Sequence, residues 1–135
     1  MTFNFVKRIV CWLLIVAAFC AADVARATET LKVLGQSNPA ATTATTLYTV
    51  PSTTTTVIST ITICNQAASA GSFRVAIRPA GASLTAAHYL AYDTAIPAND
   101  TIVLTLGITL ATTDVVTIYA SAATMSFSAF GSELN

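Results

Sequence analysis

A chain of 135 residues carries six Lys and Arg against six Asp and Glu, so only 9% of it is charged and its formal net charge is zero. That is one domain's worth of chain, long enough to bury a core without disulfide or metal staples. The lack of a basic excess argues against a nucleic-acid surface, which must neutralise phosphates. The apolar content of 54% is inflated by alanine, and a mixture dominated by Thr, Ala, Val, Ile and Ser suits pleated strands and short turns better than helices.

Lys7 and Arg8 precede residues 9–22, a run without a charge, and Asp23-Val24-Ala25-Arg26-Ala27 follows. As a helix the run would span about 21 Å, short of the ~30 Å hydrocarbon thickness of a bilayer. A basic start, a short apolar middle and an A-x-A end, Ala25-Arg26-Ala27, form the layout of a secretory signal peptide, with cleavage expected after Ala27 so that Thr28 becomes the first residue. The alternative is a retained short apolar helix, and this segment is the one membrane contact the sequence offers. Beyond it, Lys32, Arg74 and Arg78 stand against Glu29, Asp93, Asp100, Asp114 and Glu133, three cations against five carboxylates and a net of −2. So sparse a charge gives little colloidal protection, which points to association with copies of itself or with other proteins. Cys11 and Cys20 lie in the leader, leaving Cys64, expected as a small buried residue on an apolar strand.

In the body, residues 31–34 form a short strand candidate, ended by Gly35 and by Asn38-Pro39. Residues 40–46 read as an Ala/Thr linker, so 28–46 is an N-terminal strand plus linker ahead of a β-sandwich over 47–135. Residues 47–50 resume an extended pattern that Pro51 stops, and 53–56 read as the exposed start of a long strand. The stretch 56–81 is the most informative. Two β-branched apolar runs, 57–64 and 73–79, flank a small polar segment and read as a β-hairpin. In the second run Phe73, Val75 and Ile77 alternate with Arg74, Ala76 and Arg78, a period of two with one face buried.

After the breaker Pro79-Ala80-Gly81, residues 82–87 are a loop or a single helical turn. His88–Asp93 then reads as a strand with aromatics on both faces, Tyr89 on one and Tyr92 on the other. Residues 101–106 and 108–110 follow, joined at Gly107 by a bulge or bend, and 115–119 and 125–130 are the last two strands. Seven or eight short strands without a sustained helical period indicate an all-β fold: a single antiparallel β-sandwich, Ig-like or of jelly-roll or other Greek-key type, preceded by a short apolar N-terminal helix.

No reaction is specified by these residues. A single histidine rules out multi-histidine metal sites, and no G-x-S-x-G elbow accompanies His88. Asp93, Asp100 and Asp114 lie at strand ends without a D-x-D-x-D calcium loop. The two glutamates, Glu29 and Glu133, sit near the ends of the body and make a poor glycosidase pair. A non-enzymatic protein without cofactor or metal is expected. The candidate contacts are Arg74 and Arg78, four apart on one strand face and able to meet an anionic group, together with His88, Tyr89 and Tyr92, since aromatics are favoured at interfaces.

The segments 33–41 (VLGQSNPAA), 46–51 (TLYTVP), 73–81 (FRVAIRPAG), 88–116 and 119–133, ending in FGSE, resemble in order and over nearly all of the body a family of small tailed-bacteriophage virion proteins described as structural or tail-associated. The resemblance implies a subunit of a phage particle in a tail, fibre or capsid-decoration position. Its partners would be copies of itself and other virion proteins, with host-surface contact through exposed loops and without nucleic acid. It carries no catalytic residue. The competing expectation is an exported bacterial surface or periplasmic module, binding glycan or protein through the 88–92 strand. The protein would then be located in the virion or, with the leader cleaved, in the periplasm or at the cell surface.

Overall fold

The computed structural model describes residues 28–135; the expected leader or apolar helix and the expected cleavage residues Ala25 and Ala27 lie outside them. Eight strands account for most of what is described: β1 (Glu29–Ser37), β2 (Thr45–Thr49), β3 (Thr55–Asn65), β4 (Gly71–Arg78), β5 (Tyr89–Ile96), β6 (Thr101–Leu110), β7 (Val115–Ala120) and β8 (Met125–Leu134). The only helical pieces among these residues are two 3₁₀ turns, Pro79–Gly81 and Ala86–His88. The strands form two antiparallel four-stranded sheets, β1-β8-β3-β6 (sheet A) and β2-β7-β4-β5 (sheet B).

The pairs β1–β8, β2–β7, β3–β6 and β4–β5 are those of one long ribbon folded back on itself at the loop 79–88. Each arm alternates between the sheets, and curling the ribbon adds the pairs β3–β8 and β4–β7. That is the eight-strand jelly-roll order, with two Greek keys, rather than an Ig-like one. β1 is an integral strand of sheet A, so among the described residues the sandwich begins at Glu29 and not at residue 47.

The hairpin expected over 56–81 is absent. β3 and β4 cover the anticipated apolar runs, each beginning two residues before its run, but lie in opposite sheets. Residues 66–70 carry the chain across the ~10 Å between sheets, and the crossing is organised by buried Asn65. Its Nδ2 donates to Ser69 O at 2.8 Å and Pro97 O at 2.9 Å, while its Oδ1 accepts from the Ala67 N–H at 3.1 Å. A period of two says which face is buried and nothing about which strand lies alongside.

Ile58, Ile61 and Ile63 of β3 meet Phe73 and Val75 of β4, Val116 and Ile118 of β7 and Met125, Phe127 and Ala129 of β8 in one core. Phe73 and Phe127, both without exposure, cross edge to face with centroids 6.3 Å apart. Inward positions in β3 change parity between Ile58 and Ile61, since Ser59 is an extra residue in the pairing with β8 and gives its hydroxyl to Phe130 O. Opposite it Gly107 takes φ 60°, a left-handed conformation that glycine adopts without a Cβ penalty, and the expected bend is there. Cys64 is half-buried on the outer face of sheet A, in register with Ser126 and Thr101, because the bulge moves its side chain out of the core.

Threonines 54 and 56, expected to be exposed, are buried. Thr54 donates to Asn135 Oδ1 at 2.7 Å, and Thr56 lies 2.9 Å from the Tyr48 hydroxyl. Tyr48 in turn donates to Glu133 Oε1 at 2.6 Å, and Lys32 Nζ reaches Oε2 at 2.5 Å. This chain links β2 of sheet B to β1, β3 and β8 of sheet A across one end of the sandwich.

Candidate functional site

On the outer face of sheet B, Arg74 of β4 sits opposite Tyr119 of β7. β5 carries two register shifts against β4, one between Val75 and Ala76 and one between Phe73 and Val75. The first leaves Leu90 as an extra residue, and the odd and even positions Tyr89 and Tyr92 therefore share a face. They touch edge to face with centroids 4.8 Å apart, where strict alternation predicts opposite faces. The second shift comes with Asp93 at φ 48° and places its carboxylate beside Arg74.

Arg74 Nε and Nη2 donate to Asp93 Oδ1 and Oδ2 at 2.7 and 3.0 Å, a bidentate geometry specific to guanidinium. The guanidinium lies 4.1 Å from the Tyr92 ring centre and 4.4 Å from that of Tyr119, within cation–π range of both. Its hydrogen bonds to the Asp93 carboxylate hold Arg74 in its cationic form even more firmly than usual. This cation is therefore already neutralised inside the molecule, and an incoming anion would have to displace Asp93. Beside the cluster, Leu84, Thr85, Ala86, Tyr89 and Tyr92 line an open hollow of about 440 Å³.

Arg78 and His88 do other work. Arg78 Nε donates to Thr117 Oγ1 at 2.9 Å and Nη1 to Ala82 O at 3.2 Å. It thereby pins the loop 79–88 against the outer face of sheet B. Asp114 helps, accepting from the Ala80 N–H at 2.8 Å. The Val115 and Thr117 side chains, on the outer face, are buried accordingly. His88 Nδ1 accepts from the Thr85 N–H at 3.2 Å and closes the turn Ala86–His88. Thr28 pairs with the last residue, its N–H donating to Asn135 O at 3.1 Å.

Of the five sequence-derived contact residues, the fold thus brings Arg74, Tyr89 and Tyr92 together and assigns Arg78 and His88 to the loop. Asp93 and Tyr119 complete the cluster. Asp93 reads in sequence as a turn residue, and a scarcity of cations opposite surplus carboxylates was the one hint of its pairing. Replacing Arg78 with alanine leaves the buried Thr117 hydroxyl without its donor and frees the loop, at an expected cost of about 1–2 kcal/mol. Faster amide exchange at Ala82, with the rest of sheet B unchanged, is the accompanying sign.

Exposed rings and a neutralised ion pair offer stacking and hydrogen bonding to a ligand, and no nucleophile paired with a base. Among the described residues no group of three His, Cys, Asp or Glu is placed to hold a metal ion, and no helix is long and apolar enough to cross a membrane. No protein family matches the chain, and no curated protein or solved structure shows significant similarity to it. Geometry and sequence pattern carry the functional reading.

Proposed function

We propose that the protein is a non-enzymatic structural subunit of a bacteriophage particle, in a tail, fibre or capsid-decoration position, working by protein–protein association. The observation that carries the association is an apolar corner on the outer face of sheet A. Leu31 is 80% and Val33 49% exposed, and with Val57 and Phe130 they line an open groove of about 610 Å³. Contiguous exposed apolar surface on a sparsely charged protein is a signature of interaction sites. The phage context rests on the resemblance of segments 33–41, 73–81 and 119–133. Mass spectrometry of virions purified from a strain encoding the protein is expected to find it at a stoichiometry characteristic of a particle component. Its recovery solely from uninfected cells would overturn the reading.

The Tyr89–Tyr92 hollow favours a second reading, an exported surface or periplasmic module that binds glycan or protein there. It predicts a periplasmic product beginning at Thr28 and a ligand affinity that falls on replacing Tyr92 with alanine.

A further inference from the structure

We propose that two copies of this chain join edge to edge through β1, in antiparallel register with Leu31 opposite Leu31 of the second copy, so that sheet A continues as one eight-stranded sheet. This rests on the assembly reading above and names the surface through which it acts.

β1 is an edge strand, and among the described residues only β8 pairs with it. Its pleat is fixed by the mutual bonds Thr28 N–H to Asn135 O and Asn135 N–H to Thr28 O, 3.1 and 3.3 Å. Hydrogen-bonded and non-hydrogen-bonded pairs alternate along an antiparallel ladder, and the register is regular from Glu29↔Leu134 to Val33↔Phe130. Thr30 and Lys32 therefore spend their backbone groups on β8. Glu29, Leu31 and Val33 aim three N–H and three C=O groups away from it, at the open edge.

Natural sheets blunt such an edge with lysine, proline, a bulge or brevity. Residues 29–33 have no proline, and the first irregularity comes after Val33. Lys32 is the one lysine on this stretch, and its pairing with Glu133 removes the isolated charge by which a lysine would otherwise repel an incoming strand. The other edges differ. β2 has five residues, β5 has two register shifts and a left-handed Asp93, and β6 is interrupted by a register shift at left-handed Gly107.

A second copy fits because the edge is self-complementary. With Leu31 facing Leu31, each Glu29 faces a Val33, and all six free groups of each copy are used in six hydrogen bonds. A slip of two residues leaves Val33 or Glu29 unpaired, and a slip of one opposes groups already spent on β8. The two-fold axis of this isologous pair stands normal to the sheet, so the outward side chains of both copies lie on one side. The Leu31 side chains then meet, and the groove beside Phe130 and Val57 of one copy continues into that of the other.

Sedimentation equilibrium of the full chain is expected to show a reversible dimer. Leu31→Pro removes an N–H that bonds nothing within the described chain and so leaves the far-UV circular dichroism unchanged, while dimerisation weakens roughly a hundredfold as the two central hydrogen bonds are lost. Independently, Leu31→Cys is expected to oxidise to a covalent dimer, since facing hydrogen-bonded residues lie about 5.5 Å apart, far faster than Val103→Cys at 57% exposure. A monomeric wild type, a dimer indifferent to Leu31→Pro, or equal oxidation of the two cysteine variants overturns the proposal. Slow amide exchange at Glu29, Leu31 and Val33 in a monomer would also overturn it, showing the edge occupied by residues 1–27. Finding the chain in virions bears on the function and leaves this interface to stand or fall separately.

Discussion

Phe127→Ala is expected to cost about 4 kcal/mol of folding stability, within the usual range for removing a buried phenylalanine. Phe127 has no exposure and stands on β8, the strand held between β1 and β3. Its ring meets Phe73 of the opposite sheet edge to face, so truncation removes transfer free energy, an aromatic contact and the filling between the two sheets at once. The neighbours cannot close the gap, because Ile61 and Ile63 are fixed by ladders on both sides of them and Met125 by β3 on one side and the Asn38 side chain on the other. Against a typical total of 5–15 kcal/mol, the variant keeps only part of its stability, or unfolds. Urea denaturation measures the loss. Leu31→Ala, at 80% exposure, is the control and is expected to change the stability of the single chain by less than about 0.5 kcal/mol. A loss below about 1.5 kcal/mol for Phe127→Ala would mean that the two sheets do not pack through this ring.

The strands and their buried faces were legible in the sequence because burial imposes a period of two. Phe73, Val75 and Ile77 turn inward as the alternation predicts, and Pro79 and Gly107 mark the end and the bend assigned to them. Strand partners were not legible. β3 and β4 look like a hairpin because a tight turn and an inter-sheet crossing have the same small polar composition, and the bond of Asn65 to Pro97 joins residues 32 apart, a separation that local pattern does not encode. Faces failed where bulges intervene: one extra residue at Leu90 brings Tyr89 and Tyr92 together, and another at Ser59 turns Cys64 outward. The candidate site was thus visible as a set of residue types and invisible as a geometry. Arg74 read as a free cation because Asp93 opposes it only through a left-handed bulge.

Glu133→Gln and Tyr48→Phe are expected to flatten opposite limbs of the pH–stability profile. Glu133 is almost fully buried, and its carboxylate accepts from Lys32 and from Tyr48. Those hydrogen bonds, that of Lys32 first, hold its carboxyl below the usual carboxylate range. A lowered folded pKa favours the ionised form, so the stabilisation is fully present above the unfolded value of about 4.3. It is lost as pH falls through the lower folded value.

Tyr48 behaves in the mirror sense. Burial first, then its hydrogen bond to the Glu133 carboxylate, push its hydroxyl from 10.0 up to about 12. Folding favours the neutral phenol, and its contribution is present below pH 10 and disappears as pH rises from there towards 12. Glu133→Gln keeps an acceptor for Tyr48 but surrenders the charge opposite Lys32, which is 42% exposed along its side chain and so partly compensated by water. A cost of about 2 kcal/mol at pH 7 is expected, discounted from that of a fully buried pair. The acid limb then becomes shallower. Tyr48→Phe leaves the Thr56 hydroxyl and Glu133 Oε1 without their shared partner, costs about 1–2 kcal/mol, and abolishes the alkaline decline between pH 10 and 12. Because the network ties β2 to β1, β3 and β8, both variants are expected to speed amide exchange in β2 before the centre of sheet A is affected. Urea midpoints recorded from pH 3 to 11 test both limbs, and an acid limb unchanged by Glu133→Gln together with an alkaline limb unchanged by Tyr48→Phe would remove the two residues from the account of how the two sheets are held together.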